Sequence, residues 1–185
     1  KVLYVILILL AAFIGLTLIR AIFFKAKPVK REVFEEENVN SKRVEEHLCD
    51  AIRIKTISHE NEEETDWAEF DRFHEFLKKS FPLIYENLSV EDVSKASLLY
   101  FWQGSDRSLD PIAFLAHQDV VPVSEGTEKD WVHPVFDGVN DGEFIWGRGA
   151  LDMKNHLICL LESVETLLEE GYQPKRSVYL CLGHN

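Results

Sequence analysis

Cysteine is scarce and poorly spaced for chemistry. Only Cys49, Cys159 and Cys181 occur, with no CxxC pair and no metal-knuckle spacing. That excludes a thiolate zinc knuckle and argues against a disulfide framework. Cys159 and Cys181 lie in apolar runs and read as buried thiols. Acidic residues are missing from the first 31 positions, which carry six of the 20 basic residues; all 32 acidic residues come later. Beyond Arg31, fourteen basic side chains face 32 acidic ones. So acidic a surface argues against nucleic acid as a partner, because phosphate binding requires the opposite sign. What remains is globular composition, 46% hydrophobic and 28% charged, in a length that suits one domain or one and a half.

Charge is also missing from residues 2–19, an uncharged apolar run of 18 residues. As a helix it spans about 27 Å, the hydrocarbon thickness of a thin bilayer. Arg20, Lys25, Lys27, Lys30 and Arg31 follow it. A cleaved signal has a shorter apolar region, roughly 7–15 residues, and a small-residue cleavage step. Residues 1–31 therefore read as a single-pass membrane anchor with a basic flank, in preference to a signal sequence. The positive-inside rule alone would put the basic side in the cytosol. Against it stands the sequon Asn87-Leu88-Ser89, a glycosylation candidate usable only in a lumenal domain. The reading taken is a catalytic part facing the lumen of the secretory pathway, a vacuole- or lysosome-like compartment, or the exterior.

Residues 32–40 are polar and glutamate-rich and read as a linker. Residues 41–54 place Val44, Leu48, Ala51 and Ile52 at helical spacing, with Asn40 or Ser41 as cap. Residues 65–81 repeat the pattern with Trp67, Phe70, Phe73, Phe76 and Leu77, an aromatic stripe that reads as core. Residues 97–102 and 112–116 are strand-like, with turn chemistry between them. Residues 155–170 form an amphipathic helix that Gly171 stops, and residues 177–182 are a further apolar strand. Strands separated by a crossover helix give an α/β layered sheet, whose ligand sites gather at the carboxyl ends of strands.

The strand at 112–116 runs into His117 and Asp119, and residues two apart in an extended chain project to one side. One can bind a metal while the other orients it, since metal-bound imidazoles commonly have a carboxylate partner. Further on, Gly147-Arg148-Gly149-Ala150-Leu151-Asp152-Met153-Lys154-Asn155 puts a carboxylate at the mouth of the long helix. Asp152 suits a helix cap, but capping leaves the Gly-Arg-Gly run unexplained. The alternative makes it a bridge between two cations about 3.5–4 Å apart. The remaining histidines, His47, His59, His74, His133 and His156, read as surface or packing residues.

Taken together, His117-Gln118-Asp119-Val120-Val121-Pro122, then Trp131, Pro134 and Phe136, then the run from Gly147 to Asn155 resemble the di-zinc aminoacylase/carboxypeptidase family. The closest resemblance is to its carboxypeptidase S-like branch, which includes secreted N-acyl-amino-acid hydrolases. The similarity extends from Ser41 to His184. It implies the N-terminal half of a zinc-peptidase-type layered α/β/α catalytic domain over residues 41–185. It also implies His117 as a metal ligand, Asp119 as its catalytic partner, Asp152 as the bridging ligand, and a cis Asp152–Met153 bond. Two zinc ions and a peptide or N-acyl amino acid substrate come with it, and hydrolysis of an amide beside a free carboxylate, with condensation as the reverse.

The family's next motif is Gly-His-Asp-Glu-Glu. Here Gly183 and His184 match, and Asn185 stands at the Asp. The sequence opens on Lys1 rather than Met and ends after an apolar strand pattern, which reads as a truncated chain. The general base, further ligands and the lid through which a homodimer forms fall outside it, so the 185-residue chain is expected to be inactive. The competing reading is a membrane-tethered, non-catalytic interaction module that ends at Asn185.

Overall fold

An uninterrupted run of helix-compatible apolar residues forms α1 (Val2–Ile22), long and apolar enough to cross a membrane, with none of its residues buried. It belongs to the first of two compact units, Lys1–Asn38, and the second is Val39–Asn185. The structure, a computed structural model, describes residues 1–25 and 39–184. The basic positions after Lys25 and most of the expected linker lie outside the described residues.

In the second unit, Asn40 caps α2 (Ser41–Arg53), its side chain accepting from the Arg43 backbone N–H at 3.2 Å. The side chain of Asp66 does the same for α3 (Trp67–Ser80), accepting from Ala68 N–H at 3.1 Å. Such caps satisfy donors that the first helical turn leaves free. Helix α3 buries Phe70, Phe73 and Leu77 as its spacing predicts. A short α4 (Pro82–Asn87) follows, with proline in its first turn. Then come β1 (Ser89–Val93), β2 (Ser97–Trp102) and β3 (Ile112–His117). A small hairpin pairs β4 (Val139–Asn140) with β5 (Ile145–Trp146). Its turn is fixed by the Asp141 carboxylate, which accepts from Glu143 N–H, Phe144 N–H and Trp146 Nε1–H at 2.7–2.9 Å. Those donors, the two backbone groups first, hold the Asp141 pKa down to about 2. Helix α5 (Asn155–Glu169) ends where Gly171 takes a left-handed φ of 72°, as a glycine stop requires. The last element is β6 (Val178–Gly183).

The four-stranded sheet runs β1-β2-β6-β3. β3 and β6 are parallel, and the other two pairings are antiparallel. α5 lies on the crossover from β3 to β6, which brings both strand ends to the same edge, His117 opposite Gly183. Alternation along β2 and β6 turns Leu98, Tyr100, Trp102, Leu180 and Leu182 toward one face. There they form a core with Ile52, Phe73, Ile84, Leu157 and Leu161 from α2 to α5, and with Phe81 between α3 and α4. The described residues of this unit thus form two layers, and the opposite face leaves Leu115 69% exposed.

In this sheet β6 is central, and β3 is the outer strand beside it. One expectation is corrected. The thiols of the apolar runs are not the buried ones. Cys159 is exposed and Cys181 half-buried, whereas Cys49 is buried. Cys159 falls on the solvent side of α5 between apolar neighbours, and Cys181 points to the open sheet face.

Candidate metal centre

His117 stands at the carboxyl end of β3, where the parallel register with β6 ends. The next residues run on beside Thr56–Ser58 as a short parallel bridge: Val120 N–H donates to Thr56 O at 2.8 Å and Ser58 N–H to Val120 O at 3.1 Å. This keeps residues 117–120 extended, so that His117 and Asp119 meet as their spacing predicts. His117 Nδ1 lies 3.0 Å from the Asp119 backbone oxygen and 3.4 Å from its Oδ1. A carbonyl oxygen only accepts, so Nδ1 carries the proton and Nε2 is the nitrogen left for another partner. That partner is Asp152, with Oδ1 3.1 Å from His117 Nε2.

Asp152 is brought there by the glycine run. Gly147 and Gly149 have φ of 150° and 84°, and a Cβ on either would press on a neighbour: Ile52 Cγ2 at 2.4 Å or Val120 Cγ1 at 2.6 Å. The backbone therefore turns tightly against both α2 and the His117 segment. Arg148 between them lays its guanidinium over Trp131, 5.1 Å from the ring centroid. The Asp152–Met153 peptide is cis, as the resemblance implies. Asp152 does not cap α5, which has no side-chain cap; its carboxylate is 88% exposed and faces His117.

These residues suit a divalent metal ion. A neutral imidazole nitrogen and a carboxylate oxygen are both electron-pair donors. Their separation fits two ligands each about 2.0–2.2 Å from one ion. Imidazole nitrogen and carboxylate oxygen are also among the ligands that zinc accepts. Among the described residues no group of three or more His, Cys, Asp or Glu side chains forms a metal cluster.

Several supporting residues were not singled out from the sequence. Gln118, fully buried, donates to Ala96 O and accepts from His74 Nε2 at 3.0 Å. His74 is thus a bridge from α3 to the centre's strand. Thr56 Oγ1 donates to Gln118 O at 2.6 Å, and Ser58 Oγ to Asp119 Oδ2 at 2.6 Å. Lys154, two residues after Asp152, is fully buried. Its Nζ donates to Ala51 O at 2.8 Å and Ile54 O at 2.7 Å, at the end of α2, and sits 4.9 Å from the Phe73 ring centroid. Burial pushes its pKa down to about 7, against the raising effect of Glu69 and Asp119. The polar alternation Thr56-Ile57-Ser58 was the available signal for Thr56 and Ser58. Lys154 had no signal beyond its place in the run that ends at Asn155.

Three other histidines have partners of their own. His47 pairs with Glu162 at 2.5 Å, His133 packs edge-on against Trp146, and His184 bonds Ser97 at 2.8 Å.

Residues 113–185 match the model of peptidase family M20/M25/M40. Over that stretch, which holds both donors, the chain is similar to this family of metallopeptidases. It is 37% identical over 185 residues to the probable carboxypeptidase S-like 2 of Dictyostelium discoideum, covering 96% of this chain and 35% of that protein. It is 41% identical over 162 residues to the mouse (Mus musculus) N-fatty-acyl-amino acid synthase/hydrolase PM20D1, covering 86% and 31%. Among solved structures, the M20 family metallo-carboxypeptidase Sso-CP2 from Sulfolobus solfataricus matches with a TM-score of 0.59 at 19% identity. That match covers 75% of this chain and 30% of that one. The chain spans about a third of the length of the curated relatives it matches.

Proposed function

We propose that the protein is a zinc-dependent hydrolase of amide bonds beside a free carboxylate, acting on peptides or N-acyl amino acids. The observation that carries this reading is His117 Nε2 facing Asp152 Oδ1 at 3.1 Å, with Asp119 behind Nδ1. His117 would hold one zinc and Asp152 would bridge two. Bound there, the metal supplies Lewis acidity toward a carbonyl and a water of lowered pKa. Asp119 keeps the His117 proton on Nδ1, so that the opposite nitrogen stays a donor of its lone pair. Lys154 ties the turn bearing Asp152 to the end of α2, and Gly149 lets that turn lie against Val120. The exposed Asp152 carboxylate leaves the centre open to a substrate.

In this reading residues 41–185 are the N-terminal part of a layered α/β/α catalytic domain. Residues 1–31 anchor it to the membrane in a single pass, and residues 32–40 link the two. The catalytic part faces the lumen or the exterior, and a homodimer would require the complete protein. The names of the two curated relatives, a carboxypeptidase and an N-acyl-amino-acid synthase/hydrolase, support the substrate class and its reversibility. Asn87, exposed at the end of α4, is the glycosylation candidate. Glycosidase treatment of the cell-expressed protein should increase its gel mobility, and Asn87→Gln should abolish that change. The activity is tested by hydrolysis of N-acyl amino acids and C-terminal peptides, assayed with and without chelator; a chelator-insensitive protein would count against the metal.

A further inference from the structure

We propose that Ser58 is a positioning residue of this centre, setting the His117 imidazole through the Asp119 carboxylate. The role rests on the zinc-hydrolase reading for its purpose, but its geometry is independent of it. Ser58 and Asp119 are 6% and 5% exposed, so neither relies on solvent for partners. The Ser58 hydroxyl donates to Asp119 Oδ2 at 2.6 Å, while Oδ1 of the same carboxylate lies 3.4 Å from His117 Nδ1. Occupying one oxygen fixes the rotation of the carboxylate about its bond to Cβ, and so fixes where the other points. The Asp119 backbone oxygen, 3.0 Å from Nδ1, already receives its proton, and the held carboxylate oxygen adds a charge on the same side of the ring.

Ser58 is itself pinned. Its N–H donates to Val120 O at 3.1 Å, and two residues earlier Thr56 accepts from Val120 N–H and donates its hydroxyl to Gln118 O. The donor and the carboxylate it holds thus sit on two chain segments stitched together in register. The hydroxyl is aimed by backbone, and side chain follows side chain from Ser58 to Asp119 to His117 Nε2. Partners of this kind, one step removed from a metal, typically change metal affinity or activity by about 10–100-fold when lost.

The test uses the intact protein with Ser58→Ala and Ser58→Thr, the latter keeping the hydroxyl. One readout is the pair of imidazole 15N shifts of His117 in metal-free protein at pH 8.5, assigned by their loss in His117→Gln. The other is zinc affinity by competition with a chromophoric chelator. Ser58→Ala should change the His117 Nδ1 shift, because the carboxylate acceptor beside it is no longer held in place, and weaken zinc about 10–100-fold. Ser58→Thr should restore both. Unchanged nitrogen shifts in Ser58→Ala would overturn the proposal, as would a threonine variant that fails to restore them. Should the alanine variant not fold, Ser58→Cys keeps the volume with a much weaker donor and is read the same way. If the unsubstituted protein holds no zinc, the zinc-hydrolase reading fails, while the nitrogen shifts still decide the role of Ser58.

Discussion

His117 Nε2 and Asp152 Oδ1 lie 3.1 Å apart across 35 residues of sequence. One ends a strand and the other sits in an irregular turn before a helix. What joins them is the glycine turn at 147–149, which lies against Val120, three residues after His117.

Gly149→Ala should therefore damage both stability and the centre. Its φ of 84° is left-handed, and the new Cβ would meet Val120 Cγ1 at 2.6 Å. The backbone penalty alone is about 1–3 kcal/mol, and the contact pushes Asp152 away from His117. Gly126→Ala is the control: the same φ of 84° with nothing within 4 Å. Urea unfolding should register both variants, whereas weaker zinc binding should appear only for Gly149→Ala. Equal zinc affinity in the two would contradict this account of the turn.

Glu165 provides a pH test away from the centre. Buried on α5, it accepts from Leu83 N–H at 2.9 Å and Ile84 N–H at 3.0 Å, at the start of α4. Desolvation raises its pKa, and the two backbone donors only partly oppose this. A carboxyl with a raised folded pKa binds its proton more tightly in the folded state. Its stabilising contribution is complete below the ordinary value of 4.5 and is lost as pH rises through the folded pKa. Glu165→Gln, neutral throughout, should gain stability relative to the unsubstituted protein as pH rises from 4.5 to 7. Unfolding free energies at several pH values check this, and a difference that shrinks with pH would refute it.

Strand β3 predicts how residues 39–185 behave when produced alone. β3 is an outer strand, and Ile112, Phe114 and Leu115 on it are 39%, 40% and 69% exposed. Exposed apolar edge strands pair with other chains. The isolated segment should self-associate, and Leu115→Lys should raise its monomer fraction in sedimentation velocity. A monomeric, cooperatively melting unsubstituted segment would contradict the expectation.

Much of this was legible from residue order alone. β2 shows as a short apolar run whose burial, not its residue types, alternates, and α2, α3 and α5 follow the helical period with their caps or stops in place. Helix α4 is too short for a period to show. Strand β1 is Ser-Val-Glu-Asp-Val, polar because it pairs on one side only and lies mostly in solvent. Strand order is not written in apolarity, so the central place of β6 could not be read from its residues. At the centre, His117, Asp119 and Asp152 announced themselves because they stand in dense local motifs. Ser58, Gln118 and Lys154 did not, since Ser58 and Lys154 have partners 61 and 100 residues away, and the Gln118 amide binds Ala96, 22 residues back. A hydroxyl or ammonium that matters only through a distant partner leaves no nearby pattern to read.

The central claim is that His117 and Asp152 hold metal for amide hydrolysis. The most direct measurement is the zinc content of the intact protein, and its rate on an N-acyl amino acid, for the unsubstituted form, His117→Ala and Asp152→Ala. The account predicts bound zinc and turnover in the first, with both falling at least 100-fold in each variant. Unchanged zinc content together with unchanged hydrolysis in either variant would contradict it.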